Sequence, residues 1–173
     1  YQQSRTVNSL PLRVGYQNGS KLDRVLFTPS TKAELGEHDM PVSAAELEAA
    51  LGAPMAGALA DASIRCYSAA ADHAAANGVI IADTKFEFGT DAEGRLVLAD
   101  EVLTPYSSRF WPQASYAVGS NPPSLDKQFV RDWLDSVRFN HQPPAPALPD
   151  DVVAKTRDKY VEAYETLTKK RFV

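Results

Sequence analysis

Apolar residues recur with a helical period at two places in the first half of the chain. Ser43-Ala-Ala-Glu46 has the pattern of a capping box and predicts a short helix that ends near Leu51-Gly52. The alanine-rich stretch from about 54 to 77 predicts a long helix, and Asn77-Gly78 supplies its stop. We expect one face of this helix to carry Leu59, Ser63, Cys66, Ala70 and His73.

Two further helical patterns lie in the last third of the chain. Residues 126–135 predict a helix whose apolar side contains Phe129, Val130, Trp133 and Leu134. The proline-rich segment 142–149 predicts an extended connector. The last helix is expected to start at Asp150 or Asp151 and to bury Val152, Tyr160, Tyr164 and Leu167.

Between these helical patterns, two stretches have the composition of β-strands. They are Val79–Gly89 and Arg95–Val102. The six residues between Phe88 and Arg95 include two glycines, which suits a β-hairpin. We therefore predict an α+β fold in which an antiparallel sheet packs against helices.

The composition narrows the class of protein. With 18 Lys+Arg, 22 Asp+Glu and a net charge of −4, the chain lacks the basic excess of a nucleic-acid-binding surface. No apolar run approaches the ~20 residues that span a bilayer. Cys66 is the only cysteine, which excludes an internal disulfide and favours a reducing, cytoplasmic setting. We expect neither nucleic acid nor membrane as a partner, and the sequence does not define an oligomeric state.

Charged side chains alternate along the first predicted strand. Because successive strand side chains point to opposite faces, we expect Asp83, Lys85 and Glu87 on one face. Phe86 and Phe88 then point the other way, into a core.

The partner strand adds another carboxylate. The hairpin brings Asp100 beside the charged face, although a slip of one residue would place Glu101 there instead. Such a set suits a divalent cation, and Mg²⁺ takes one or two carboxylates together with phosphate oxygens and water. Lys85 would then hold a phosphate as a point charge. The alternation alone favours a plainer interpretation, a solvated sheet face with cross-strand ion pairs.

Two other segments could bind anions. Ser107, Ser108 and Arg109 lie in a turn, and a guanidinium with hydroxyl donors suits a phosphate or carboxylate. A surface turn with Trp111 in the core is the plainer alternative. Thr31-Lys32 is either another anion contact or part of a solvated loop.

The histidines contribute little to a site. His38, beside Asp39 in a polar loop, is the best placed of the three. None of them has the spacing of a metal ligand.

Several motifs together resemble one enzyme family, in the family's order. They span about Phe27 to Thr168: 27–34 (FTPSTKAE), 36–39 (GEHD), 81–89 (IADTKFEFG), 100–105 (DEVLTP), 107–111 (SSRFW), 126–134 (DKQFVRDWL) and 159–167 (KYVEAYETL). These segments are similar to phosphoribosylaminoimidazole-succinocarboxamide synthase (SAICAR synthetase), in its monofunctional microbial and fungal form.

The resemblance implies a ligase of purine biosynthesis. Such enzymes join CAIR, the carboxylated aminoimidazole ribonucleotide, to L-aspartate, and consume ATP with Mg²⁺ to give SAICAR, ADP and phosphate. The expected course is phosphorylation of the CAIR carboxylate followed by attack of the aspartate amine on the acyl phosphate. Three anionic species then share one cleft, which explains the need for metal ions and cationic side chains.

The resemblance also assigns roles to residues. It makes Glu87 and Asp100 the Mg²⁺–nucleotide carboxylates and Lys85 the phosphate-contacting lysine. Asp83 would orient or deprotonate the incoming amine, and Arg109 would bind the CAIR 5′-phosphate with Ser107 or Ser108. The residues expected to line the CAIR or aspartate side are Thr31, Lys32, Asp39, Asp126, Lys127 and Gln128.

Two departures from the family pattern affect these expectations. Tyr106 stands where the family turn Thr-Pro-Asp-Ser-Ser-Arg has aspartate, so a carboxylate that organises the turn or meets substrate is replaced. The family's glycine-rich nucleotide lobe would precede Tyr1. The chain is therefore expected to be the C-terminal part of such an enzyme, with a leading segment (1–27), a substrate and metal cleft (28–111) and a helical region (112–173).

This expectation has consequences for activity. The chain by itself should have weak ligase activity or none, because its ATP pocket would be incomplete. One alternative is a non-catalytic relative that binds nucleotides or a partner. A third interpretation is a carboxylate-rich binder of divalent cations.

Overall fold

The computed structural model describes residues 6–32, 39–140 and 142–173. In this part of the chain four α-helices are present: α1 (Ala44–Leu51), α2 (Ala53–Ala76), α3 (Gln128–Ser136) and α4 (Asp150–Thr168). The predicted capping box is confirmed, because the Ser43 hydroxyl accepts from the Glu46 N–H and the Glu46 carboxylate accepts from the Ser43 N–H. No helix among the described residues is both long and apolar enough to cross a lipid bilayer.

Six short strands form three antiparallel pairs within the described ranges. They are β1 (Thr6–Val7), β2 (Leu10–Pro11), β3 (Val79–Thr84), β4 (Glu87–Thr90), β5 (Leu96–Ala99) and β6 (Ser108–Pro112). β1 pairs with β2, β3 with β6, and β4 with β5. The predicted α+β class is confirmed, although the sheet is divided into separate two-stranded ladders.

The prediction of one continuous strand from Val79 to Gly89 is wrong. β3 ends at Thr84 and β4 begins at Glu87, so Lys85 and Phe86 lie between two strands that have different partners. The Lys85 N–H donates to the Ser107 carbonyl at 3.0 Å, at the end of the β3–β6 ladder. The chain leaves one ladder here and enters the other.

The hairpin between β4 and β5 is confirmed. Its register pairs Glu87 with Ala99 and Thr90 with Leu96. Asp91 and Arg95 close the turn, since the Asp91 N–H donates to the Arg95 carbonyl at 3.0 Å.

The main core lies where α2, the β3–β6 ladder and α4 meet. Its buried members are Ala74, Val79, Ile81, Phe110, Leu125 and Ala163. Phe110, on β6, is completely buried at the centre of this cluster. The cluster packs the β3–β6 ladder against helix residues and so positions the turn at which β3 ends.

Some predicted packing faces differ from those observed. Val152 is buried as expected, but Tyr164 is 40% exposed and Ala163 takes the inward position on α4. His73 is exposed on α2, with its Nε2 2.8 Å from the Leu167 carbonyl oxygen. Phe86 and Phe88 meet edge to face at 6.3 Å and are only partly buried, outside the main core.

Candidate functional site

Four charged side chains form a chain of ion pairs beside the start of β4. The Lys32 ammonium lies 2.6 Å from both carboxylate oxygens of Glu87. The Lys85 ammonium lies 2.7 Å from Asp39 Oδ2 and 3.4 Å from Glu87 Oε1. We call Lys32, Asp39, Lys85 and Glu87 the Glu87 network. All four were predicted as site residues, and the structure brings them together.

The two segments that carry Lys32 and Asp39 are paired through their backbones. The Thr31 N–H donates to the Met40 carbonyl at 2.9 Å, and the Met40 N–H donates to the Thr31 hydroxyl at 3.0 Å. An antiparallel bridge between Ser30 and Pro41 continues this pairing. The backbone pairing therefore brings Lys32 and Asp39 close together. The Thr31 hydroxyl accepts a hydrogen bond from the Met40 backbone. The predicted candidate His38 lies outside the described residues.

The ion pairs favour the charged forms of their members. The hydrogen bond to Asp39 raises the pKa of Lys85 more than burial lowers it, and the charges of Asp39 and Glu87 add to this rise. The ammonium of Lys32 lowers the pKa of Glu87, to which Lys85 also contributes. Both groups are therefore fully ionised at neutral pH.

Asp83 and Arg109 form a separate ion pair on the β3–β6 ladder. Arg109 Nε donates to Asp83 Oδ1 at 2.7 Å, and a terminal guanidinium nitrogen donates to the other oxygen. This contact raises the pKa of Arg109. The expectation that Asp83, Lys85 and Glu87 share one face of one strand is wrong, because Asp83 belongs to β3 and Glu87 to β4. The Asp83 carboxylate is oriented by Arg109 across the ladder.

The turn before β6 is organised by its own hydroxyl groups. The Thr104 N–H donates to Ser107 Oγ at 3.1 Å, and the Ser108 N–H donates to the Thr104 carbonyl at 2.9 Å. Ser108 is buried, with its hydroxyl 2.8 Å from Thr84 Oγ1. Ser107 and Ser108 thus shape the turn that presents Arg109. The supporting role of Thr104 was not predicted, although Thr-Pro followed by Ser is a turn signal.

Asp126 is buried, and its carboxylate lies between β6 and the start of α3. Only 1% of its surface is exposed, and its carboxylate accepts from the N–H groups of Phe110 at 3.1 Å and Gln128 at 2.7 Å. The Ser124 hydroxyl is a third donor. The carboxylate of Asp126 thus joins β6 to the start of α3, and its predicted place on the substrate side stays a prediction.

Lys127, by contrast, extends toward the turn before β6. Its ammonium lies 4.4 Å from the ring centroid of Tyr106, which is 60% exposed. Burial lowers the pKa of Lys127, and the charge of Arg131 lowers it further, against the opposing charges of Glu101 and Asp126.

Asp100 follows β5 directly. The β4–β5 register pairs Glu87 with Ala99, so Asp100 is the next residue along from the partner of Glu87. Its backbone is left-handed, with a φ of 61°, so strand alternation ends there, and its side chain is exposed. Glu101 accepts from the Thr104 hydroxyl within the turn. Of the two candidates in the predicted register, Asp100 is therefore the more exposed.

The donor set suits a metal ion that is shared with phosphates. Among the described residues, no three His, Cys, Asp or Glu side chains are grouped so as to hold a metal by themselves. Mg²⁺ in nucleotide sites needs only one or two carboxylates, with phosphate oxygens and water completing the shell. Glu87 and Asp100 provide that number, and the Glu87 oxygens already hold a cation, the Lys32 ammonium.

Comparisons with known proteins agree with these motifs. The family model of SAICAR synthetase matches residues 3–147. A phosphoribosylaminoimidazole-succinocarboxamide synthase from Methylobacillus flagellatus is 55% identical over 172 residues, which are 99% of this chain and 58% of the relative.

Solved structures have the same fold. The SAICAR synthase of Saccharomyces cerevisiae complexed with SAICAR superposes with a TM-score of 0.88 at 42% identity, covering 99% of this chain and 56% of the yeast chain. A SAICAR synthetase in complex with ADP has a TM-score of 0.54 at 25% identity, over 79% of this chain and 48% of that one. The chain thus spans little more than half the length of the curated relative and of the yeast enzyme. On these findings, the chain belongs to the SAICAR synthetase family.

Proposed function

We propose that this chain supplies the metal-binding and much of the substrate-binding part of an ATP-dependent ligase that joins CAIR to L-aspartate. The products are SAICAR, ADP and phosphate, and the CAIR carboxylate is activated as an acyl phosphate. Family membership supports this activity, as do the relatives' names and the SAICAR bound to the yeast enzyme. The observation that carries the proposal is the Glu87 network. In it, two ammonium groups contact one carboxylate at the open end of the β4–β5 hairpin.

In this proposal, Glu87 and Asp100 hold Mg²⁺ together with the nucleotide phosphates. A bound Mg²⁺ neutralises charge that develops on the phosphates during transfer. Lys85 contacts a phosphate as a point charge, and Asp39 keeps its ammonium in place at 2.7 Å. ADP bound to a family member supports ATP as the co-substrate.

Arg109, with Ser107 or Ser108, is proposed to bind the CAIR 5′-phosphate. A guanidinium has five N–H donors, and Asp83 engages the Nε and one terminal nitrogen. The remaining donors of Arg109 are available for a phosphate. Asp83 then acts by orienting the guanidinium, and acceptance of a proton from the aspartate amine is the alternative role.

The other predicted contacts complete the cleft. Lys127 is proposed to contact the CAIR or aspartate side, since its ammonium lies over the exposed ring of Tyr106, three residues before Arg109. Thr31, Lys32 and Asp39 are proposed to line the CAIR or aspartate side as well. The division into residues 1–27, 28–111 and 112–173 is retained as part of this proposal, as is a cytoplasmic location.

A chimera tests the proposal. In it, the present chain replaces the segment that it matches in the Methylobacillus flagellatus relative. We expect ADP release that requires CAIR, L-aspartate and Mg²⁺. Glu87→Gln should lower kcat by at least about 100-fold, because the variant loses a carboxylate ligand of the Mg²⁺ that neutralises the phosphates.

Glu93→Gln is the matched control. Glu93 lies in the turn of the same hairpin, 3.1 Å from an Arg95 nitrogen, and should leave the rate unchanged. Turnover by Glu87→Gln at the wild-type rate would remove Glu87 from the site. CAIR binding by the chimera without any turnover would favour the non-catalytic alternative.

A further inference from the structure

We infer that Lys32 is a place-holder cation, which occupies the Glu87 carboxylate until a divalent metal displaces it. This inference rests on the proposed role of Glu87 as a metal ligand. It assigns Lys32 a function in the metal-free protein, in addition to its place beside the substrate cleft.

The geometry of the pair is that of an occupied cation site. The Lys32 ammonium lies 2.6 Å from Oε1 and 2.6 Å from Oε2 of Glu87, so it sits between the two oxygens. A metal ion bound to this carboxylate would approach the same oxygens at about 2.0–2.1 Å. An ammonium and a divalent cation cannot share that position, because they would repel each other at contact distance. Metal binding therefore requires Lys32 to leave.

The exposure of the two side chains makes Lys32 the group that moves. The Lys32 side chain is 71% exposed, whereas that of Glu87 is only 25% exposed. A solvated ammonium on a flexible stem gives up an exposed ion pair at small cost. Glu87 is fixed by its place in the β4–β5 ladder, opposite Ala99.

Lys85 contacts the same carboxylate but differs in its other partner. Its ammonium is 3.4 Å from Glu87 and 2.7 Å from Asp39, so it keeps a carboxylate when a metal takes Glu87. Thr31 is meanwhile held against Met40 by two hydrogen bonds, one to the Met40 carbonyl and one from the Met40 N–H to the Thr31 hydroxyl. The expected result is an exchange of one cation for another, with Lys85 and Thr31 left in place.

The exchange predicts opposite effects for two substitutions. Lys32→Met removes the competing cation, so the chain should bind Mn²⁺ about two- to fivefold more tightly than the wild type. Lys32→Arg replaces it with a planar fork that pairs with both oxygens, so Mn²⁺ should bind more weakly. If Lys32 only supported the loop, Lys32→Met would weaken binding or leave it unchanged.

The experiment is a titration of the chain with Mn²⁺ alone, in which free Mn²⁺ is counted by electron paramagnetic resonance. Lys155→Met is the control, since Lys155 forms a similarly exposed ion pair with Asp151 at 3.0 Å on α4. It should not change the Kd. Glu87→Gln should weaken Mn²⁺ binding.

The outcomes separate the inference from the function on which it rests. If Glu87→Gln weakens binding but Lys32→Met does not tighten it, Lys32 is not the competitor and the inference is overturned. If Glu87→Gln leaves the Kd unchanged, the proposed metal role of Glu87 fails instead. Tighter binding in Lys32→Met with weaker binding in Lys32→Arg supports the exchange.

Discussion

Asp126 illustrates how a charged residue in a functional motif can serve the fold. Its carboxylate satisfies the Phe110 N–H on β6 and the Gln128 N–H at the start of α3. The adjacent residue, Lys127, extends toward Tyr106. The buried carboxylate therefore determines where the Lys127 ammonium lies.

Replacing this carboxylate by an amide tests that role. Asp126→Asn puts an NH2 group among three donors, so one buried N–H or O–H loses its acceptor. We expect a loss of about 1–3 kcal/mol in the free energy of unfolding, measured with urea. Asp132→Asn is the control, because Asp132 is exposed and accepts only a surface bond from Gln128 at 2.8 Å. A loss no larger than that of the control would contradict the structural role.

The identities of the charged residues were predictable, but their pairing was not. The motifs pointed to Lys32, Asp39, Lys85 and Glu87 as site residues. The two pairs Lys32–Glu87 and Lys85–Asp39 join positions 55 and 46 residues apart in the chain. Such contacts depend on how the loop before α1 packs against the hairpin, and no local pattern encodes that packing.

At the scale of elements, the break between β3 and β4 sets the geometry of the site. Alternation in Asp83, Lys85 and Glu87 is compatible with one long strand, which the sequence predicted. In the structure a bulge between Ile81 and Asp83 and the end of the ladder at Thr84 turn the chain toward β5. Neither signal is marked by glycine or proline, so the break could not be predicted from turn residues.

The stability of the turn between β4 and β5 should depend on pH. The Asp91 carboxylate accepts from the Arg95 N–H at 2.8 Å and from the Arg95 guanidinium at 2.7 Å, and these bonds lower its pKa. A lowered folded-state pKa stabilises the turn above the unfolded value of about 4, and this stability is lost as the pH falls through the folded pKa.

An NMR titration of the Asp91 carboxyl carbon checks this dependence. The midpoint should lie below the ordinary range of aspartate. Arg95→Met should raise the midpoint, but not to the ordinary value of aspartate. The backbone N–H groups of positions 93 and 95 still donate to the carboxylate in this variant. An ordinary midpoint in the wild type would contradict the turn geometry.

The small side chains of α2 allow it to pack closely against β3. Ala74 is completely buried in the cluster that contains Val79 and Phe110. Ala74→Leu should overpack this contact and lower the free energy of unfolding by about 1–3 kcal/mol. Ala75→Leu, one position along on the exposed side, should change it by less than about 0.5 kcal/mol. Equal effects in thermal or urea unfolding would show that α2 does not pack as described.

At the scale of the whole molecule, the core and the proposed metal ligands, Glu87 and Asp100, lie on different elements. The buried cluster draws its members from α2, β3, β6, α4 and the segment before α3. In the described part of the chain, the β4–β5 hairpin contributes none of them. Glu87 and Asp100 therefore lie in a region that is stabilised by the β4–β5 ladder, the Phe86–Phe88 contact and ion pairs. This separation lets the site change its ionic partners without disturbing the core.

Native-state hydrogen exchange should distinguish the β3–β6 ladder, which packs in the core, from the β4–β5 hairpin. Amides of β3 and β6 should exchange only through global unfolding, while those of β4 and β5 exchange at least about tenfold faster through local opening. Ile81→Val, in the buried cluster, costs about 0.5–1.5 kcal/mol and should accelerate β3 and β6 by the matching factor. The same substitution should leave β4 and β5 unchanged, because their opening does not expose Ile81. If both ladders accelerate together, the hairpin unfolds only with the core, and the site is then as rigid as the ladder beside it.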